Sequence, residues 1–148
     1  MGDKRYVINV QGAIYKGNQF LIARRSEHED YMPNILTLPG GTIEPEDEVN
    51  AQDVLLATVK REIMEEVNVE VTDERVIASS YFLAGDEPVL NVLFLCRYAG
   101  GEAKAVDPLE VSAVQWMTAE EAIAHPDCKE WTRIKLEKAE VARVVSSQ

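Results

Sequence analysis

Sulfur, histidine and long apolar runs are scarce in this chain, and each scarcity closes off a class of protein. Cys96 and Cys128 are the two cysteines, far apart and without metal-ligand spacing. A disulfide framework needs more, so a reduced pair in a cytoplasmic protein is expected. His28 and His125 stand alone, with no Cys or His at ligand spacing, which leaves zinc without a binding motif. No stretch approaches the roughly 18–20 apolar residues of a membrane-spanning helix. Met1 to Tyr6 runs almost directly into strand-like sequence, so no signal peptide is expected. Tyr6 also stands where a myristoylation signal carries Ser or Thr. No repeat, low-complexity segment or linker divides residues 1–148, and a single domain is expected.

Positive charge is scarce too. Against 26 Asp and Glu stand 15 Lys and Arg, a formal net charge of −11. A nucleic-acid backbone needs clustered Lys and Arg, so neither nucleic acid nor a membrane is expected as a partner. A small phosphorylated molecule is repelled as well, unless cations bridge it to the protein. The balance leaves a neutral or cationic ligand, or an anionic one that arrives with metal.

What is present is ordinary globular patterning, with 46% hydrophobic and 28% charged residues. Arg5–Tyr15 and Phe20–Arg25, joined by the turn Lys16-Gly17-Asn18-Gln19, read as a β-hairpin. Ile35–Leu38 is a short strand ending in the turn Pro39-Gly40-Gly41. Strands are expected near Val69–Thr72, Val76–Leu83, Val89–Tyr98 and Val111–Met117. Thr118-Ala119-Glu120-Glu121 has the form of a capping box opening a short helix, and a last helix runs from Asp127 to about Val145. Trp131 and Ile134 are expected to pack that helix inward. A mixed sheet with helices on its faces follows from this order.

The informative segment is the helix expected from Asp53, as N-cap, to about Val67. At about 100° per residue, Glu62, Glu65 and Glu66 share one face, while Leu56, Ile63 and Val67, with Met64 beyond them, form an apolar stripe. Like charges at these spacings repel, by roughly 0.2–0.5 kcal/mol per exposed pair. A divalent cation turns that cost into a binding site, since hard metals take oxygen ligands. Arg61, beside the cluster, can hold a carboxylate by a bidentate pair. A solvated acidic face is the plainer reading of the helix alone. Two flanking features favour a site: Gly40-Gly41, where bare backbone can approach a ligand, and Arg24-Arg25, candidate phosphate clamps in so acidic a chain.

Leu38-Pro39-Gly40-Gly41-Thr42-Ile43-Glu44 followed by Arg61-Glu62-Ile63-Met64-Glu65-Glu66-Val67-Asn68-Val69 resembles the Nudix box, G-x5-E-x7-R-E-U-x-E-E-x-G-U, with U a bulky aliphatic. The hairpin start and the Trp116-containing strand before a short helix are similar to that family too. Two departures stand out. Asn68 replaces the helix-ending Gly, and Asn is the next-best residue at left-handed backbone angles. The box is also longer than the family's: counted from Gly41 its acid falls on Asp47, counted back from Arg61 on Asp53. An acidic insertion ahead of the helix is expected, left in solvent, with Asp53 capping the helix.

The resemblance implies a Nudix-type α/β/α sandwich, of α/β (α+β) class, with a mixed central sheet flanked by helices. It implies hydrolysis of a nucleoside diphosphate linked to a further moiety, nucleoside triphosphates included. It implies Mg²⁺ or Mn²⁺ held by Glu62, Glu65, Glu66 and the Gly40 carbonyl, with Arg61 orienting the carboxylates. Gly40 and Gly41, with Arg24 and Arg25, would face a small phosphorylated substrate, a nucleotide. The general base varies within the family; Glu62 and Glu110 are the candidates here, and a solvated loop carboxylate is the plainer reading of Glu110. Tyr81 and Phe82 suit either base stacking or sheet packing. A homodimer stays open. Two rival classes share the fold: an isomerase like isopentenyl-diphosphate isomerase, whose Cys and Glu motifs are not evident, and a regulatory module with a dead site.

Overall fold

The computed structural model describes residues 5–44 and 52–146. The acidic insertion, including Asp47, falls outside the described residues. In order come β1 (Val7–Lys16), β2 (Gln19–Arg25), β3 (Leu36–Thr37), β4 (Gly40–Thr42), α1 (Val54–Val67), β5 (Glu70–Ala84), β6 (Glu87–Gly100), β7 (Val111–Thr118), α2 (Ala119–Ala124) and α3 (Glu130–Ser146). The strands form one mixed sheet in the order β3-β2-β1-β6-β5, with β4 added to β1 and β7 to β2. β1 pairs with β6 in parallel from Val7↔Val89 to Tyr15↔Arg97, while its far end makes the expected hairpin with β2 at Tyr15↔Phe20.

Period-two alternation sorts side chains to the two faces. Val10, Ile14, Leu21, Phe94 and Cys96 pack under α1 with Val59, Ile63 and Val67. Ala13, Phe20, Ile22, Leu93 and Leu95 face the other way, toward α2 and α3 with Ala122, Leu136 and Ala139. Helices thus cover both faces of a mixed sheet. A Cβ on Gly12 would sit 2.6 Å from the Ile63 side chain, so the missing side chain lets α1 approach β1 closely. No helix among the described residues is long and apolar enough to cross a membrane.

Several expectations are corrected. The two strands expected over Val69–Thr72 and Val76–Leu83 are one, β5. Asp73 takes a left-handed φ of 52°, and register shifts carry the strand through Asp73-Glu74 rather than ending it. Gly40-Gly41 is not only a turn: with Thr42 it pairs along β1 as β4. Asp53 precedes α1 as expected, but in the left-handed region (φ 54°), and its side chain makes no capping hydrogen bond. On α1, Val59 and Thr58 join the buried stripe, while Met64 is exposed. Trp131 and Ile134 do not anchor α3; both are exposed, and Thr132, Leu136 and Ala139 are the residues it buries. Asn68 does close α1 at φ 63°, its N–H donating to the Met64 carbonyl, and Thr118 with Glu121 forms the capping box.

Candidate active site

α1 lies against β4, and a cleft of about 590 Å³ opens between them, walled by Glu62, Glu66, Arg25, Gly41 and Glu110. The register of β4 explains its shape. Gly12 N–H donates to the Pro39 carbonyl and Ile43 N–H to the Ile8 carbonyl, so the alternation of the ladder turns the Gly40 peptide groups away from β1. Gly40 N–H donates to Glu66 Oε1 at 3.3 Å. A Cβ on Gly41 would run into the Glu62 carboxylate, with Cγ only 2.9 Å away. Bare backbone is what allows the helix carboxylates to lie on this turn.

Arg61 reaches Glu62 Oε1 at 3.2 Å and both Glu65 carboxylate oxygens at 3.3 Å. Glu62 is largely covered, whereas Glu65 is mostly exposed. Among the described residues, no three His, Cys, Asp or Glu side chains converge as a ready-made metal nest. Arg61 Nη1 bridges Glu62 and Glu65, while Gly40 N–H holds Glu66.

Glu66 carries the electrostatics of the cleft. Burial pushes its carboxyl up to about 8; the Gly40 N–H works against that, Glu110 and Glu62 raise it further, and Arg25 lowers it. Glu110 therefore belongs to the cluster's surroundings. Its carbonyl accepts from Ser26 N–H, and its N–H donates to the Asp107 carbonyl. Oxygen donors crowded in excess of nearby positive charge are a donor set that suits a hard divalent cation.

The segment leading to Glu110 hangs on the end of α1. Lys104 N–H donates to the Val67 carbonyl, Val106 N–H to the Glu66 carbonyl, and Asn68 Nδ2 to the Glu102 carbonyl. Carbonyls that a helix end leaves unpaired are used to position the next loop.

The two arginines part company. Arg25 lines the cleft and pins the loop that follows β2, donating to the Tyr31 carbonyl at 2.8 Å and to the Met32 carbonyl at 3.1 Å. Arg24 lies elsewhere, paired with Asp127 at 2.8 Å and with the Asn34 carbonyl at 2.7 Å. That guanidinium holds the Asp127 carboxyl below the usual range.

Sequence reasoning missed a second cleft of about 560 Å³ that shares Asn9, Gln11 and Arg25 with the first. Asn9 and Gln11 alternate with apolar residues in β1, a period-two signal that could have placed both on one face. Tyr81 and Phe82 both line this cleft, and Phe82 lies parallel to Tyr31, ring centroids 6.3 Å apart.

A model of the NUDIX domain matches residues 5–138. The chain belongs to the Nudix family. It is 32% identical over 114 residues to YfcD of Shigella flexneri, described as an uncharacterized Nudix hydrolase, across 77% of this chain and 58% of that protein. The Nudix chain thus spans little more than half the length of that relative. It is also 32% identical, over 104 residues, to the NAD-capped RNA hydrolase NudC of Pectobacterium carotovorum, across 70% of this chain and 35% of NudC. Among solved Nudix folds, the MutT protein of Methanosarcina mazei superposes with TM-score 0.76 at 23% identity, covering 97% of this chain and 99% of that one. The Nudix domain of Shewanella oneidensis NrtR, solved with ADP ribose, gives 0.71 at 18% identity, covering 97% and 90%.

Proposed function

We propose that this chain is a metal-dependent hydrolase that cleaves the phosphoanhydride of a nucleoside diphosphate linked to a further group, nucleoside triphosphates included. One observation carries the reading: Glu62, Glu66 and Glu110 line one cleft together with Arg25 and the Gly40–Gly41 strand. Membership of the Nudix family supports it.

Glu62, Glu65, Glu66 and the Gly40 carbonyl are the groups that would hold Mg²⁺ or Mn²⁺. Such an ion, when bound, neutralises the diphosphate and acidifies a water. Arg61 orients Glu62 and Glu65. Arg25 offers its guanidinium to a phosphate oxygen, in the planar geometry that phosphate accepts. Glu62 or Glu110 takes the proton from the attacking water as its oxygen bonds to phosphorus and the bridging P–O bond breaks. Glu110 is exposed, as a loop carboxylate would be, yet it stands on the wall of the cleft, near enough for its charge to act on Glu66. Such an enzyme would serve in the cytoplasm as one domain.

The test is product release from a panel of nucleoside triphosphates and diphosphate-linked nucleosides, with Mg²⁺ or Mn²⁺ and with chelator. Turnover that depends on added metal is expected. Silence across the panel with metal present returns the chain to the binding-module or isomerase class.

A further inference from the structure

The second cleft has a floor built from four side chains. Gln11 Oε1 accepts from Lys135 Nζ at 2.8 Å and from Asn91 Nδ2 at 3.0 Å. Gln11 Nε2 donates to the Leu38 carbonyl at 3.1 Å and to Thr37 Oγ1 at 3.3 Å. The Gln11 amide is therefore spent, and its orientation is fixed. Asn91, which is buried, accepts from Asn9 Nδ2 at 2.6 Å. Lys135 retains two N–H donors, and Asn9 its amide oxygen and one N–H.

Lys135 reaches this floor from α3, and no carboxylate pairs with it among the described residues. Lys135 is half-buried, and that burial alone draws its ammonium down to about 8. Above the floor the walls are aromatic: Tyr31 and Phe82 parallel to one another, and Trp131 one helical turn from Lys135. Flat apolar walls over a polar floor fit a planar heterocycle, its face on the rings and its edge on the floor.

We infer that this cleft selects the heterocycle of the substrate, with Asn9 and Lys135 reading its edge in favour of a ring carbonyl over a ring amino group. This rests on the hydrolase reading, which places the linked phosphates in the adjoining carboxylate cleft. An Asn amide carries both a donor and an acceptor, and pairs with oxo and amino edges alike. An ammonium has donors only. Facing a ring carbonyl it gains a charge-assisted hydrogen bond; facing an amino group it meets a second donor and stays unpaired. Discrimination therefore falls to Lys135, with Asn9 setting the register of the ring.

Inosine and adenosine triphosphates share sugar, phosphates and ring skeleton and differ along one edge, a 6-oxo group beside N1–H in inosine and a 6-amino group beside a bare N1 in adenosine, so they compare the two kinds of edge. With metal, at about pH 7 where Lys135 remains an ammonium, kcat/KM should favour the inosine compound by about tenfold or more, chiefly through KM. Lys135→Met keeps an unbranched side chain, shorter by one atom, and removes the charge; the ratio should fall to within about twofold. Lys135→Gln, which can present an acceptor to an amino group, should move the ratio toward adenosine. Phe82→Ala should weaken both substrates alike. A wild-type ratio near one, or a preference unchanged in Lys135→Met, overturns the inference while leaving the hydrolase reading intact. If neither compound is hydrolysed, the hydrolase reading fails for them. The inference is then decided by binding of inosine and adenosine monophosphates: a wild-type preference for inosine that Lys135→Met abolishes sustains it, and equal affinities overturn it.

Discussion

Gly40 and Glu66 are joined across 26 residues by one hydrogen bond, backbone N–H to carboxylate, that ties strand β4 to the last turn of α1. Neighbouring glycines should respond differently to a methyl group. At Gly40 a Cβ meets the β1 backbone, 2.8 Å from Gln11 Cα, and backbone cannot step aside. Gly40→Ala should cost about 1–3 kcal/mol in a denaturant melt. At Gly41 the obstacle is the Glu62 side chain, which can rotate. Gly41→Ala should fold nearly normally and lose turnover.

Metal dependence is the second expectation. Chelator should abolish hydrolysis, and Mg²⁺ or Mn²⁺ should restore it. Glu65→Gln and Glu66→Gln should each lower the rate by about two orders of magnitude or more. Full turnover in excess chelator would remove the mechanism entirely.

The raised Glu66 carboxyl gives metal-free protein a pH signature. Its value moves from 4.5 to about 8, so between these limits the folded chain keeps a proton that the unfolded chain has released. Stability should then fall as pH rises through that window and level off above it. Glu66→Gln should remove this slope; the difference between wild-type and variant melting temperatures, measured from pH 5 to 8, reads it directly. Saturating metal, which favours the carboxylate, should flatten the wild-type curve as well.

Arg25 and Arg24 should separate in kinetics. Arg25→Ala should raise KM, through the lost phosphate contact and the loosened loop at Tyr31 and Met32. Arg24→Ala should leave KM near wild type, because Arg24 does not line the cleft and pairs with Asp127 and the Asn34 carbonyl away from it. A KM change of equal size in both would show that the clamp lies elsewhere.

The helix that bears the carboxylates was legible in the sequence because its period, its acidic face and its Asn68 terminus are all local. So were the hairpin and the Thr118 cap. β4 was not: Gly40-Gly41-Thr42 has little strand propensity, and its pairing comes from a β1 register distant in sequence. The length of β5 was hidden for the opposite reason, since Asp73-Glu74 reads as a turn while the fold absorbs it as a bulge. Glu110 could be proposed from its place ahead of β7, but its nearness to Glu66 is tertiary. Lys135 was out of reach. Its partner Gln11 lies 124 positions away, and no local pattern marks a helical lysine that turns toward a sheet.

The tether between α1 and the chain ahead of Glu110 has a dynamic consequence. Lys104 and Val106 lend their amide protons to carbonyls of Val67 and Glu66, so those protons reach solvent only when the helix end opens. In deuterated buffer they should exchange in step with the last turn of α1, as one cooperative unit. An event that stiffens that turn would then slow exchange at both amides. Glu110, four residues beyond Val106, would be steadied by the same event without itself being touched.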